Sequence, residues 1–159
     1  MVPGFRIGWI AAHDKIFEKL LIAKQASDLH SCQFTQYIVY QYLIKNDIGA
    51  HINKVREAYG NQCRTMLESI DSYFPDNVHS TRPEGGMFLW ATLPGGMTAM
   101  DLFELSVREK VIFVPGDPFY INKKNVNTLR LNFSCVDAET IKAGIKRLGE
   151  VIDIVSRKG

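Results

Sequence analysis

The chain has 159 residues, about one ordinary domain, with 46% hydrophobic residues and 19 Lys and Arg against 17 Asp and Glu. A formal charge of +2 with no basic run gives no electrostatic handle for nucleic acid or an anionic membrane surface, so neither partner is expected. No apolar run approaches the ~20 residues that cross a bilayer, and Met1-Val-Pro-Gly-Phe-Arg6 lacks a signal-peptide pattern, so a cytoplasmic location is expected.

In chain order, Phe5 to Ala12 reads as a short strand buried on both faces, of the kind found inside parallel sheets. Asp14 is placed to cap a helix whose Ile16, Leu20 and Ile22 or Ala23 fall on one side. A second helix covers about Cys32 to Lys45, and its stripe of Phe34, Tyr37, Ile38, Tyr40 and Tyr42 reads as buried packing surface. From Ile48 to Phe74, apolar residues recur every three or four positions through Ile52, Val55, Tyr59, Cys63, Met66, Ile70 and Tyr73, which predicts one long amphipathic helix ended by Pro75. Strands follow at about Val78 to Thr81 and Met87 to Thr92, separated by the Arg82-Pro-Glu-Gly-Gly86 turn.

Thr98 with Asp101 resembles a capping box for a helix from Ala99 to Lys110, and a strand at Val111 to Val114 is interrupted by Pro115-Gly-Asp-Pro118. Around Arg130, Leu129, Leu131 and Phe133 alternate with Arg130, Asn132 and Ser134, so a strand there turns an apolar face one way and a polar face the other. Asp137 caps a final helix with Ile141, Ile145, Leu148, Ile152 and Val155 as its inward stripe. The stretch from about residue 52 onward therefore reads as a self-sufficient α+β sandwich, while residues 1–50 read as part of something else. Cys32, Cys63 and Cys135 read as reduced, mostly buried thiols, and the four histidines show no metal-ligand spacing, so no metal is expected.

Two arginines carry the chemistry. Arg130 is aimed outward from a rigid strand, where its planar fork either is solvated or grips a carboxylate with two parallel hydrogen bonds. Arg6 sits in an otherwise apolar segment with no acid within four residues, so either it reaches solvent or an external anion such as a phosphate satisfies it. The turns Glu84-Gly-Gly86, Pro94-Gly-Gly96 and Pro115-Gly-Asp-Pro118 are first of all turns, and none has the spacing of a nucleotide-binding loop.

Taken together and in order, Pro3-Gly-Phe-Arg-Ile-Gly-Trp9, Gln25-Ala-Ser-Asp-Leu-His30, Arg82-Pro-Glu-Gly-Gly-Met-Phe-Leu-Trp90, Val114-Pro-Gly-Asp-Pro-Phe119 and Leu129-Arg-Leu-Asn-Phe-Ser134 resemble the C-terminal part of a class I/II, fold-type-I aminotransferase. Within that family the likeness is strongest to the aminoadipate and kynurenine aminotransferase group. The resemblance implies an α+β fold: residues 1–50 as a remnant of the large cofactor-binding α/β domain, and residues 51–159 as the small C-terminal domain, a short sheet packed with helices. It implies pyridoxal 5′-phosphate as cofactor, with amino acid and 2-oxo acid substrates. Arg6 matches the arginine that holds the cofactor phosphate, and Arg130 the one that clamps the substrate carboxylate. Gly85 and Gly86 match the turn that approaches the substrate side chain, Gly116 lies in a loop bordering the site, and Asn132 steadies the Arg130 strand.

The departure from the family is equally specific. The lysine that bonds the cofactor would fall ahead of Met1, Lys15, Lys19 and Lys24 are not placed to substitute, and no catalytic residue is assigned. The chain alone is therefore expected to be inactive, and its exposed apolar segments at 5–12 and 32–45 are expected to drive self-association into a homo-oligomer. Two other parentages stay open: the effector domain of a winged-helix transcription regulator, and another fold-type-I chemistry such as a C–S lyase.

Overall fold

A computed structural model describes residues 3–122 and 126–157. They divide into two compact units, one up to Ile52 and one from Asn53 onward.

The first unit opens with a 3-10 turn, Pro3–Phe5, and continues as irregular chain to helix α1, Asp14–Ser27. The strand expected at 5–12 is not formed: Trp9 is 86% exposed and no segment of this unit pairs with it. A strand exists only through the neighbour that takes its N–H and C=O groups, and among the described residues this unit offers none. The N-cap of α1 is His13, whose Nδ1 accepts from the Lys15 N–H at 3.4 Å, and not Asp14. Asp14 instead opens the first turn, where its charge still complements the helix N-terminus.

Helix α2, Gln33–Lys45, follows as expected, but its aromatic stripe is not buried. Phe34 is 72% exposed, and α2 has no buried residue. The pattern marked which surface is apolar, and nothing in this unit covers it.

Helix α3, Ile48–Tyr73, runs across the division into the second unit. That unit contains a four-stranded antiparallel sheet in the order β1-β2-β4-β3, with β1 at His79–Ser80, β2 at Phe88–Thr92, β3 at Val114–Pro115 and β4 at Thr128–Asn132. Helix α4, Ala99–Arg108, precedes β3, and α5, Ala138–Ser156, ends the unit. Leu89 and Ala91 of β2 with Leu129 and Leu131 of β4 form the buried face, joined by Met66 and Ile70 from α3, Leu102 from α4 and Ile141, Ile145, Leu148 and Ile152 from α5. Burying each of the larger side chains contributes about 1.5–3 kcal/mol.

The other two predicted caps form. Thr98 Oγ1 accepts from the Asp101 N–H at 3.1 Å, and Asp137 Oδ1 accepts from the Thr140 N–H at 2.8 Å. The strand expected at 111–114 is displaced: only Val114 and Pro115 pair, opposite Arg130 and Leu129. Pro115 can take part because β3 is an outer strand, where a missing N–H need not break a ladder.

Close approach fixes two glycines. A Cβ on Gly149 of α5 would collide with the Tyr73 carbonyl at the end of α3, so this contact sets how near the two helices lie. Gly116, directly after β3, donates its N–H to the Thr128 carbonyl at 2.7 Å, and a Cβ there would strike Thr128.

Candidate functional site

The alternation of β4 turns Thr128, Arg130 and Asn132 away from the core, as the sequence pattern requires. Register then sets Trp90 of β2 directly opposite Arg130 and Phe88 opposite Asn132. Phe88 is the diagonal neighbour of Arg130, within reach of a long side chain. The Arg130 Cζ lies 4.1 Å from the centroid of the Phe88 ring and 4.9 Å from that of Phe119. Phe119 ends a 3-10 turn, Asp117–Phe119, and is held in turn by Trp90, edge to face, at 5.1 Å and 86°.

The guanidinium thus has aromatic company but no anion. Among the described residues the ion pairs are Lys24–Asp28, Arg82–Asp71 and Lys142–Glu139, and Arg130 belongs to none. Its Nε is buried without a hydrogen-bond partner. A buried N–H left unpaired costs about 1–3 kcal/mol, which makes this donor a candidate for an external partner. Guanidinium donors lie in the plane of the group, so a ring stacked on its face leaves those donors unpaired.

Asn132 ends the strand. Its Oδ1 accepts from the Ser134 N–H at 2.7 Å and from the Ser134 hydroxyl at 2.9 Å, a turn that fixes the chain just past Arg130. The adjoining Phe133 N–H donates to the Met87 carbonyl at 3.3 Å, tying the start of β2 to the end of β4. Gly85 and Gly86 come just before Met87. Gly86 holds φ +86, and no atom lies within 4 Å of where a Cβ would stand on either glycine. This turn forms one wall of a groove of about 820 Å³ whose other wall is α3, with Tyr59, Cys63 and Arg64 among its residues. Burial raises the Cys63 thiol pKa above its ordinary value.

Arg6, in the first unit, is exposed rather than buried in a strand, which removes the buried-cation premise. Its backbone is left-handed at φ 51, uncommon for a non-glycine residue, and its side chain has no hydrogen bond or ion pair among the described residues. The thiols also differ from expectation: Cys32 and Cys135 are exposed and Cys63 is half-buried. Hydrogen bonds from the Thr35 and Phe34 backbone lower the pKa of the Cys32 thiol at the start of α2.

Sequence reasoning singled out Arg130, Asn132 and the glycine turn as candidates and gave no separate role to Trp90 and Phe119, which the structure places beside Arg130. The alternation of β2 already placed Phe88 and Trp90 on one face, yet the register that sets them beside Arg130 depends on long-range pairing that no local pattern encodes.

The family model for aminotransferase class I and II matches residues 1–148. The chain belongs to the class I and II aminotransferases. It is 45% identical over 152 residues to an aromatic-amino-acid aminotransferase of Thermococcus litoralis, covering 96% of this chain and 36% of that protein. Its fold matches the α-aminoadipate aminotransferase LysN of Thermus thermophilus, solved with N-(5′-phosphopyridoxyl)-L-leucine, at a TM-score of 0.87 and 38% identity, over 99% of this chain and 40% of that one. A more distant relative is the helix-turn-helix transcriptional regulator NorG of Staphylococcus aureus, 31% identical over 93% of this chain and 33% of its own length. The chain thus spans little more than a third of the relatives it matches, and it carries the α+β architecture of a C-terminal part of a fold-type-I aminotransferase.

Proposed function

We propose that this chain provides the substrate-carboxylate site of an aminotransferase that uses pyridoxal 5′-phosphate to move an amino group from an amino acid to a 2-oxo acid. The observation that carries this reading is Arg130: a cation contacted by two aromatic rings, with a buried donor unpaired and no acid beside it. Its in-plane N–H groups hold and orient the carboxylate, while the rings keep water from competing for them. Asn132 steadies the end of the strand, and the open space around Gly85 and Gly86 lets a substrate side chain approach the backbone.

Arg6 fits the cofactor's phosphate. An exposed guanidinium with no acidic partner, on backbone held in a left-handed conformation, suits a dianion. When bound, pyridoxal phosphate supplies the electron sink for the chemistry. Residues 1–50 then belong to the large cofactor domain and residues 51–159 to the small one.

These 159 residues alone do not transaminate in this reading, because Lys15, Lys19 and Lys24 lie on α1 or in its first turns and none stands where the family places the cofactor-bonding amine. Incubation with pyridoxal phosphate, borohydride reduction and peptide mapping is expected to find no single lysine labelled stoichiometrically; one such lysine refutes this part. In the product of the complete reading frame, Arg130→Ala is expected to raise KM for the amino acid by roughly a hundredfold, the loss of two charged hydrogen bonds. An unchanged KM sinks the carboxylate assignment.

The kinship to NorG favours one second reading, in which an amino acid bound at Arg130 is an effector and not a substrate. A complete product that opens with a DNA-binding domain and shows no turnover selects it.

A further inference from the structure

We infer that Phe119 is a positioning residue for Arg130: its ring, braced edge-on by Trp90, confines the guanidinium and so pre-sets the direction of its N–H groups for a carboxylate. The inference rests on the proposal that Arg130 receives a carboxylate, and it goes further by assigning the orientation of that group to residues outside the strand. Arg130 has several rotatable bonds, and a free arginine side chain would lose all of that freedom on binding. Here the loss has already been taken, because two ring faces at 4.1 and 4.9 Å confine the Cζ and no anion competes for it.

The two rings do not act alike. Phe88 is on β2 and its place follows from the ladder, whereas Phe119 comes from the turn after β3. The position of that turn is set by separate contacts: the Gly116 N–H donates to Thr128, the Phe119 N–H donates to the Gly116 carbonyl at 2.9 Å, and Thr128 Oγ1 donates to the Tyr120 hydroxyl at 3.3 Å. The first and the last of these meet at Thr128, two residues before Arg130. Phe119 is itself 48% exposed, far more than core burial requires of a phenylalanine, and its ring spends its contacts on Arg130 and Trp90.

The test uses the 159-residue chain, ¹⁵N-labelled at arginine, with the Arg130 Nε–H signal assigned through Arg130→Lys. Two quantities are read: the exchange rate of that proton with water, and its shift on titration with sodium acetate at constant ionic strength. In the wild type the proton is expected to exchange slowly and to move with acetate. Phe119→Leu is expected to speed exchange and weaken acetate binding by about three- to tenfold, with Phe119→Tyr restoring both, since a tyrosine ring offers the same face. Phe88→Leu provides a second variant should Phe119→Leu fold poorly by circular dichroism; it is expected to speed exchange as well. Wild-type behaviour in Phe119→Leu on both readouts overturns the inference while leaving the carboxylate assignment standing. No response of the wild-type Arg130 signal to acetate overturns the carboxylate assignment itself, and the exchange rates then still decide whether Phe119 holds the guanidinium.

Discussion

At the scale of single residues, the carboxylate site proposed at Arg130 would be kept at the expense of stability. Its Nε is desolvated with no partner, so Arg130→Leu is expected to leave the unfolding free energy unchanged or raise it by up to about 1 kcal/mol, while abolishing any response to carboxylates. Thermal unfolding checks this, and a loss of more than about 2 kcal/mol would show that the guanidinium is a structural group. Asp137 gives a pH signature of known sign. Hydrogen bonds from the Thr140 side chain and backbone hold its pKa below the ordinary carboxylate value. Its stabilising effect is therefore complete above the unfolded-state value of about 3.9 and is lost as the pH falls through the lower folded value. In acid titrations followed by circular dichroism, Asp137→Asn is expected to shed part of the pH dependence below about pH 4 and to leave neutral stability nearly unchanged, because asparagine is also a good cap.

Secondary-structure elements put glycine's two uses side by side on one helix. Gly149 is pressed against the Tyr73 carbonyl, whereas nothing lies within 4 Å of a Cβ on Gly144. Gly149→Ala is expected to cost about 1–3 kcal/mol by forcing α5 off α3, and Gly144→Ala to gain about 0.5–1 kcal/mol by removing backbone freedom from the unfolded chain. Urea unfolding of the two variants gives opposite signs if this packing is right. Elements whose partners are supplied locally were legible in the sequence: the caps at Thr98 and Asp137, the stripe of α5, and the two-faced β4 all follow short-range periodicity. The strand expected at 5–12 and the buried aromatic face expected on α2 failed for one shared reason. Periodicity reports what a segment could bury, and burial needs a surface that the first unit does not provide. The aromatic contacts of Arg130 were hidden for the converse reason, because they bring residue 88 across a ladder and residue 119 from a separate turn.

On the scale of the whole molecule, the two units differ in how well they cover themselves. The second has a continuous core, while the first leaves Trp9, Ile10, Phe34 and Tyr37 in solvent. Light scattering at micromolar concentration is expected to show self-association through these residues, with Trp9→Ser and Phe34→Ser together lowering the apparent mass. A compact monomer in the unaltered chain would refute that. The sheet itself is not expected to take part in such growth. It finishes on either side in a strand of only two residues, one of them half proline, so it presents almost no row of free amides on which a foreign strand could template. Assemblies of this protein should accordingly be helical and reversible in character, with no thioflavin-positive fibrils growing from the β-structure.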